Sequence, residues 1–136
     1  DSMKIFENID IQKEANSLGF LMKEALEEKA PFAKSARDTL HIKPTIKNSY
    51  GVITKENEIT RYSVTLNVNY SLYNKKSKKM VLENKISATS DYSAAVTFTG
   101  FATEIAREDT YERLADTVAD KIITDILINI SSEDPL

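Results

Sequence analysis

Residues 61–72 alternate between apolar and polar side chains without a break. The apolar positions are Tyr62, Val64, Leu66, Val68, Tyr70 and Leu72, and serine, threonine or asparagine fills every gap between them. Because successive side chains of a strand point to opposite faces, this pattern predicts a strand with one apolar and one polar face. At about 3.3 Å per residue it spans roughly 40 Å, about twice a usual strand. Such a strand needs long partners and an apolar layer to lie against.

Two less regular alternating stretches flank this central strand. Thr39 to about Val52 predicts a strand, and Pro44 within it indicates an edge strand or a bulge because proline cannot donate to the ladder. Met80–Tyr92 predicts the next strand, and short polar turns at Lys55–Glu58 and Tyr73–Lys79 make the three strands an antiparallel meander. The residues expected on one face of the last strand are Met80, Leu82, Ile86, Ala88 and Tyr92.

Helical periodicity appears on either side of the meander. Apolar residues at spacings of three and four predict a helix over Ile11–Lys29, which Pro31 ends. The same period from about Ala102 to Ile130 predicts a helix of about 28 residues, roughly 42 Å long, which matches the central strand in length. The residues Met3–Ile9 are predicted to form the end of a strand, and Ser93–Gly100 are predicted to form a loop or a strand end.

The predicted order is therefore strand, helix, three strands, helix. Two helices on one face of a mainly antiparallel four-stranded sheet form a two-layer α+β sandwich. The chain of 136 residues is expected to form a single domain over residues 1–130, followed by a polar tail at residues 131–136. The other sheet face, with its serine, threonine and asparagine side chains, would meet water or a polar partner.

The composition gives an enzyme little support. The chain has no cysteine, and His41 is its only histidine, so no catalytic triad, zinc site or other metal site is predicted. Three scattered glycines provide no phosphate loop, and we expect no cofactor. The carboxylate pairs Glu108/Glu112 and Asp116/Asp120 fit a solvated helix face better than acid–base catalysis. An enzyme stays as a third hypothesis, which requires a pocket of converging titratable groups.

The charged and aromatic residues limit the classes of partner that the chain is expected to bind. The net charge of −3 argues against nucleic acid, and Tyr62 and Tyr70 share the apolar parity of the central strand, so they are expected in the core. No apolar run approaches 18 residues, so no membrane span is predicted. One dense basic cluster consists of Lys75, Lys76, Lys78 and Lys79. Its side chains either form a solvated hairpin tip that discourages aggregation or contact anionic lipid headgroups.

The last third of the chain resembles a known family. After Tyr92, the segment FATEIAREDTYERLADTVADKI (Phe101–Ile122) is similar to the closing segment of lipopolysaccharide-assembly lipoproteins of the LptE type, in particular their alphaproteobacterial branch. The stretches TLHIKP and YGVITKENEITRYSVTLNVNYSLY are similar to the middle strands of that family in spacing and alternation. The first helix, ending near Lys29, fits as well, so the resemblance covers nearly the whole chain.

The resemblance implies a function without enzyme activity. Proteins of this type are lipidated at an N-terminal cysteine and held at the inner leaflet of the outer membrane, on its periplasmic face. They plug the lumen of the LptD β-barrel and assist the insertion of lipopolysaccharide into the outer leaflet. This chain starts at Asp1, already close to an apolar pattern, so we expect a leader and the lipidated cysteine upstream. The alternative is a periplasmic or surface lipoprotein that binds another protein through its polar sheet face.

The resemblance also implies two chemically different ends. In an up-down-up meander, the turn at Lys55 and the loop Ser93–Gly100 lie at one end, where the family's basic residues contact lipopolysaccharide. Lys55 falls at the matching place, and Arg107 is the nearest basic candidate after a loop without lysine or arginine. The tip Lys75–Lys79 lies at the other end, near the expected anchor. There, Lys75, Lys76, Lys78 and Lys79 are expected to meet lipid phosphates.

Overall fold

The structure, a computed structural model, describes residues 2–50, 59–95 and 100–133. Its elements in chain order are a 3₁₀ helix Ser2–Asn8, β1 Ile9–Lys13, α1 Ser17–Lys29, β2 Asp38–Tyr50, β3 Ile59–Asn74, β4 Met80–Ala95 and α2 Gly100–Glu133. The four strands form one mostly antiparallel sheet, and the helices make a second layer. The predicted α+β class is therefore confirmed.

The sheet has the strand order β1-β2-β3-β4, with β1 parallel to β2 and the other pairs antiparallel. At one end, Ile9 pairs with Asp38, and Asp38 pairs with Asn74. At the other end, Ile59 pairs with Ala95. The predicted up-down-up path is right, because the β3–β4 hairpin and the start of β1 lie at one end, and the end of β2, the start of β3 and the end of β4 lie at the other.

Pro44 occupies an edge, as the sequence predicts. β1 pairs with β2 only as far as Ile42, so no strand in the described part of the chain adjoins β2 on that side at Pro44. On the other side Pro44 lies opposite Val68 of β3. The missing N–H of proline is tolerated where the strand has no second partner.

The core lies between the inner sheet face and the helices. Val64, Leu66 and Val68 of β3 have no exposed surface, and each contributes about 1.5–3 kcal/mol by burial. A stripe of α2 predicted from its helical spacing packs on this side, and its buried members are Leu114, Ala115, Val118, Ile122, Ile123 and Ile126. Ala119 is buried among them and was not predicted. β3 thus carries the central row of the core along most of its length.

The N-terminal quarter differs from the prediction. The expected helix over Ile11–Lys29 is strand β1 followed by α1, and the expected strand end at Met3–Ile9 is largely the 3₁₀ helix. Asn16 ends the extended chain and caps α1, since its side-chain oxygen accepts a hydrogen bond from the backbone of Gly19 at 2.7 Å. A Cβ at Gly19 would lie 2.4 Å from the carbonyl oxygen of Glu14, so glycine is required in this first turn.

The β4 strand is also longer than expected. It runs to Ala95, so Ser93–Ala95 form a strand end, one of the two alternatives predicted for Ser93–Gly100. Likewise, α2 extends to Glu133, beyond the predicted start of the tail.

A buried carboxylate fastens β1 to the rest of the sheet. Asp10, only 5% exposed, accepts hydrogen bonds from the hydroxyl of Thr39 at 2.9 Å and the backbone N–H of Ala36 at 2.9 Å. The ammonium group of Lys75, from the hairpin, forms an ion pair with the same carboxylate. Burial raises the pKa of Asp10, but the hydrogen bonds from Lys75, Thr39 and Ala36 outweigh burial, so its pKa lies below the usual value.

Replacing Asp10 by asparagine therefore tests the attachment of β1. Asp10→Asn keeps the shape but leaves Lys75 without its counter-charge, and we expect a loss of about 1–3 kcal/mol in the free energy of unfolding near neutral pH. Since the pKa of Asp10 is depressed by folding, the stabilisation is complete above the unfolded pKa of about 4 and is lost as the pH falls through the folded pKa. Urea denaturation across this range measures the difference.

The control is Asp91→Asn, which removes an exposed carboxylate from β4. Its expected effect stays within about 0.5 kcal/mol at neutral pH. Equal losses for the two variants, or a loss for Asp10→Asn that does not shrink in acid, would contradict the role of the buried ion pair.

Candidate functional site

Basic side chains gather at the end of the sheet where β1 begins. The loop between α1 and β2 contributes Lys34 and Arg37, and the β3–β4 hairpin contributes its four lysines. The backbone N–H of Lys75 donates to the carbonyl of Arg37 at 3.1 Å, which holds the loop against the hairpin. We call residues 34–37 and 75–81 the basic tip.

Local hydrogen bonds give the hairpin one defined shape. The side-chain oxygen of Asn74 accepts from the backbone N–H of Lys76 at 3.1 Å and of Ser77 at 2.9 Å, a turn typical of asparagine. The N–H of Lys78 donates to the carbonyl of Asn74 at 2.8 Å, and Lys78 adopts the left-handed region with φ of 58°. These hydrogen bonds therefore hold the backbone at the lysines in one conformation.

The four hairpin lysines, predicted as one group, divide into two kinds. Lys75 turns inward to the buried Asp10, so its charge is compensated. Lys76, Lys78 and Lys79 are exposed, and none of them forms an ion pair with a residue in the described part of the chain. The structure thus brings these three lysines together as the outward part of the predicted cluster.

A β-bulge adds two apolar side chains to the basic tip. Leu72 pairs with Leu82, but Tyr73 pairs with Met80, so Val81 is the extra residue. The prediction that Met80 and Leu82 share a face is wrong, because the bulge turns Met80 to the side of Tyr73 while Leu82 packs against the core. Met80 is 44% exposed and Val81 is 38% exposed.

The open sheet face beside the tip is polar, as predicted. Its cross-strand rows place Lys43 beside Asn69 and Asn69 beside Lys85. Farther along, the hydroxyl groups of Thr65 and Thr89 form a hydrogen bond of 2.9 Å. This surface offers many hydrogen-bonding groups and suits a polar partner.

His41 lies on this open face, opposite in parity to Leu40 and Ile42, as the sequence predicts. Its ring meets the edge of Tyr73 at a centroid distance of 5.3 Å and an angle of 81°. Both residues border a shallow hollow of about 560 Å³ that reaches Lys75 and Lys78 at the tip. The ring of His41 therefore packs against Tyr73 on the open sheet face.

The helix layer has the opposite charge. Glu24 and Glu28 of α1 face Asp109 and Glu112 of α2 across a groove of about 680 Å³, in which Arg113 is paired with Asp109 at 3.0 Å. This surface repels anions, whereas the basic tip attracts them.

The predicted solvated pair Asp116 and Asp120 has a structural role. Both carboxylates contact the ammonium group of Lys29, at 2.7 and 2.9 Å, and so join the end of α1 to α2. The hydrogen bonds to Asp116 and Asp120 raise the pKa of Lys29 above its usual value. The acidic residues at this point therefore hold the two helices together.

A polar cluster on the inner face was not predicted from the sequence. Tyr70, expected as a core residue, donates its hydroxyl to Asp125 of α2. Asn84, which interrupts the apolar face of β4, donates to the same carboxylate at 3.1 Å, and Asn129 donates at 2.9 Å. Burial and the Asp125 carboxylate raise the pKa of Tyr70, so its hydroxyl stays a donor. An asparagine at an apolar strand position was the one available signal.

Lys55 and Arg107 are the residues predicted to contact lipopolysaccharide. Lys55 falls outside the described residues. Arg107 lies on α2, seven positions after the start of that helix, and is partly buried. The role of the two residues stays a prediction.

Other kinds of site are limited by two observations. Within residues 2–50, 59–95 and 100–133, no group of histidine, cysteine, aspartate or glutamate side chains is arranged to hold a metal ion. Over the same residues, no helix has the length and apolar character to cross a membrane.

Comparison with solved structures shows the same fold in bacterial lipoproteins. A lipoprotein from Caulobacter crescentus CB15 aligns over 99% of this chain and 98% of its own, with a TM-score of 0.75 and 19% identity. Rare lipoprotein B from Shewanella oneidensis aligns over 92% and 96%, with a TM-score of 0.66 and 17% identity. A minor lipoprotein from Acinetobacter baumannii aligns over 92% and 95%, with a TM-score of 0.62 and 17% identity.

A comparison with curated proteins found no match. A family model does match, and it covers residues 6–126, from the 3₁₀ helix to the last buried turn of α2. Its description is LptE, lipopolysaccharide-assembly. The match takes in all four strands and nearly all of the core, and the chain therefore belongs to the LptE family of lipopolysaccharide-assembly proteins.

Proposed function

We propose that this protein is a non-enzymatic lipoprotein of the outer membrane that plugs and supports an LptD-type β-barrel. In this role it assists the insertion of lipopolysaccharide into the outer leaflet. The observation that carries the proposal is the family match over residues 6–126, and the fold shared with bacterial lipoproteins is consistent with it. A lipid anchor upstream of Asp1 would hold the protein at the periplasmic face.

The open sheet face supports the plug role. The lumen of an outer-membrane barrel is lined by polar side chains, so a plug needs a polar surface. Thr45, Asn67 and Ser87 form one such polar row across the sheet, and the rows on either side contain lysines. A face of this kind can exchange hydrogen bonds with water for hydrogen bonds with a barrel wall.

The sheet edges support an enclosing partner as well. Among the described strands, β4 pairs with β3 alone, so its other side is an edge along Met80–Ala95. Within the same residues, β2 also has a free edge beyond Ile42, where β1 ends. Unpaired edges invite association with other chains, and enclosure in a barrel would shield them.

We assign lipopolysaccharide contact to the end opposite the basic tip. The end of β2, the start of β3 and the end of β4 lie at that end of the sheet. Lys55 comes between β2 and β3 in the sequence, which supports the assignment. Arg107 follows on α2. A lysine and an arginine near one end would offer two cations to the phosphates of lipopolysaccharide.

The second candidate is an adaptor lipoprotein that binds a different protein through the open sheet face. The row Lys43–Asn69–Lys85 favours it, because two exposed lysines about 10 Å apart across a sheet fit an acidic protein surface.

Co-purification separates the two candidates. We expect the full-length protein, with its native leader, to co-purify with the LptD-type barrel from the same genome when both are expressed. Glu27→Gln, an exposed change on α1 and away from the open sheet face, should leave the complex intact, and Val68→Asp, a buried charge in the core, should abolish it. An unrelated porin serves as the control barrel. Failure of the matched pair to co-purify would leave only the adaptor.

The charge at Lys55 predicts a specific loss. We expect Lys55→Glu to weaken lipopolysaccharide binding by at least about fivefold, as about 1 kcal/mol per lysine near an anionic surface implies, with an unchanged melting temperature. Lys47→Glu, on the exposed open face, is the matched control and should bind like the wild type. Binding is measured by titration at one fixed salt concentration. Equal affinities for wild type and Lys55→Glu would remove Lys55 from the site.

A further inference from the structure

We propose that the basic tip is a membrane-docking surface, on which Lys76, Lys78 and Lys79 bind the phosphates of anionic phospholipids while Met80 and Val81 enter the interface. This inference goes beyond the proposed barrel role and does not rest on it, because membrane binding can be measured without a barrel.

The basic tip carries more positive than negative charge. Of the acidic residues beside the tip, Asp10 and Asp38 are buried and are paired with Lys75 and Arg37. Glu83 of β4 is exposed and borders the same hollow as Met80, so it offsets one positive charge. Lys34 and the three outward hairpin lysines are exposed and have no ion-pair partner among the described residues. The tip therefore carries a local excess of positive charge in a chain whose net charge is −3.

The hairpin that carries the lysines has a defined backbone conformation. The side chain of Asn74 holds the backbone of Lys76 and Ser77, and the side chain of Ser77 accepts from the backbone of Lys79 at 3.3 Å. The lysines therefore project from an ordered turn, and binding need not order the backbone.

The apolar pair Met80 and Val81 distinguishes a lipid phosphate from a free phosphate as the ligand. A cluster of lysines alone would suit any phosphate, whether free or on a lipid. Met80 and Val81 follow the lysines directly, and the bulge leaves both of them exposed, at 44% and 38%. Apolar side chains bordered by lysines are the arrangement with which peripheral proteins enter the headgroup region, so the pair favours a lipid surface.

The distribution of charge favours one orientation of the protein on an anionic membrane. The groove between α1 and α2 is rimmed by Glu24, Glu28 and Glu112, which an anionic surface repels. The tip lies at the end of the β3–β4 hairpin, so docking through it points the strands away from the membrane. β1 begins at this same end, which suits a chain whose N-terminus is anchored in the same membrane.

Vesicle sedimentation tests the proposal with the purified chain. We expect binding to vesicles of equimolar phosphatidylcholine and phosphatidylglycerol, weak binding to pure phosphatidylcholine, and a decline with added salt. The variant Lys76→Gln/Lys78→Asn/Lys79→Gln should bind roughly a hundredfold more weakly, at about fivefold per lysine. Asparagine is chosen at Lys78 because it tolerates a positive φ, so the turn is retained.

The matched control removes the same amount of charge from another place. Lys43→Gln/Lys47→Gln/Lys85→Gln takes three exposed lysines from the open face, at least about 13 Å along the strands from the Tyr73–Met80 row. That distance exceeds the Debye length of about 10 Å at moderate salt, so we expect a loss of less than about fivefold.

The apolar pair has its own test. Met80→Thr/Val81→Thr keeps every charge and the strand preference, and we expect roughly tenfold weaker binding that persists at raised salt. The chain has no tryptophan, so Met80→Trp provides a single reporter, whose emission should shift to the blue on the anionic vesicles and stay unchanged with phosphatidylcholine.

Four results would overturn the proposal. One is no binding of the wild type to anionic vesicles, and a second is an equal loss for the open-face control and the tip variant, which would indicate net charge alone. A third is displacement by inorganic phosphate at matched ionic strength, which would indicate a site for free phosphate. A fourth is no effect of the threonine substitutions. The tip variant should still co-purify with the barrel, so failure here is distinguishable from failure of the barrel role.

Discussion

The one-sided burial of β3 is the constraint on which the rest of the structure depends. Its 16 residues place Val64, Leu66 and Val68 on one face with no exposed surface and put polar residues on the other. β4 matches it in length, β2 is nearly as long, and the 34-residue α2 lies over the buried side. Because the inner face is filled by packing, the surfaces left for recognition are the polar sheet face, the outer side of the helix layer and the ends of the sheet.

Periodicity in the sequence was sufficient for most of this arrangement. The alternation of β3 and the helical stripe of α2 each record burial against a single partner layer, so the sheet, its meander and the helix layer followed from local patterns. β1 did not follow, because a strand of five residues carries too short a pattern. It is held by contacts between distant residues, such as Asp10 with Lys75, which no local window contains.

The candidate sites were predictable in part. A run of lysines is visible in any sequence, and the hairpin that presents them follows from the meander. The division of their roles did not follow, because it depends on the one lysine that reaches the buried Asp10. The cluster of Tyr70, Asn84 and Asp125 was missed for the same reason, since it joins three elements. Lys55 lies outside the described residues, and its role stays a prediction.

The bulge at Val81 shows that the apolar character of the tip is set by a count of residues as well as by their type. Met80 and Leu82 have the same parity in the sequence, and only the extra residue between them sends one outward and the other into the core. Relatives that lack the extra residue would keep the methionine opposite Tyr73, and their tip would have lysines with one exposed apolar side chain instead of two. Insertions and deletions at this point of the hairpin are therefore as informative about its surface as substitutions are.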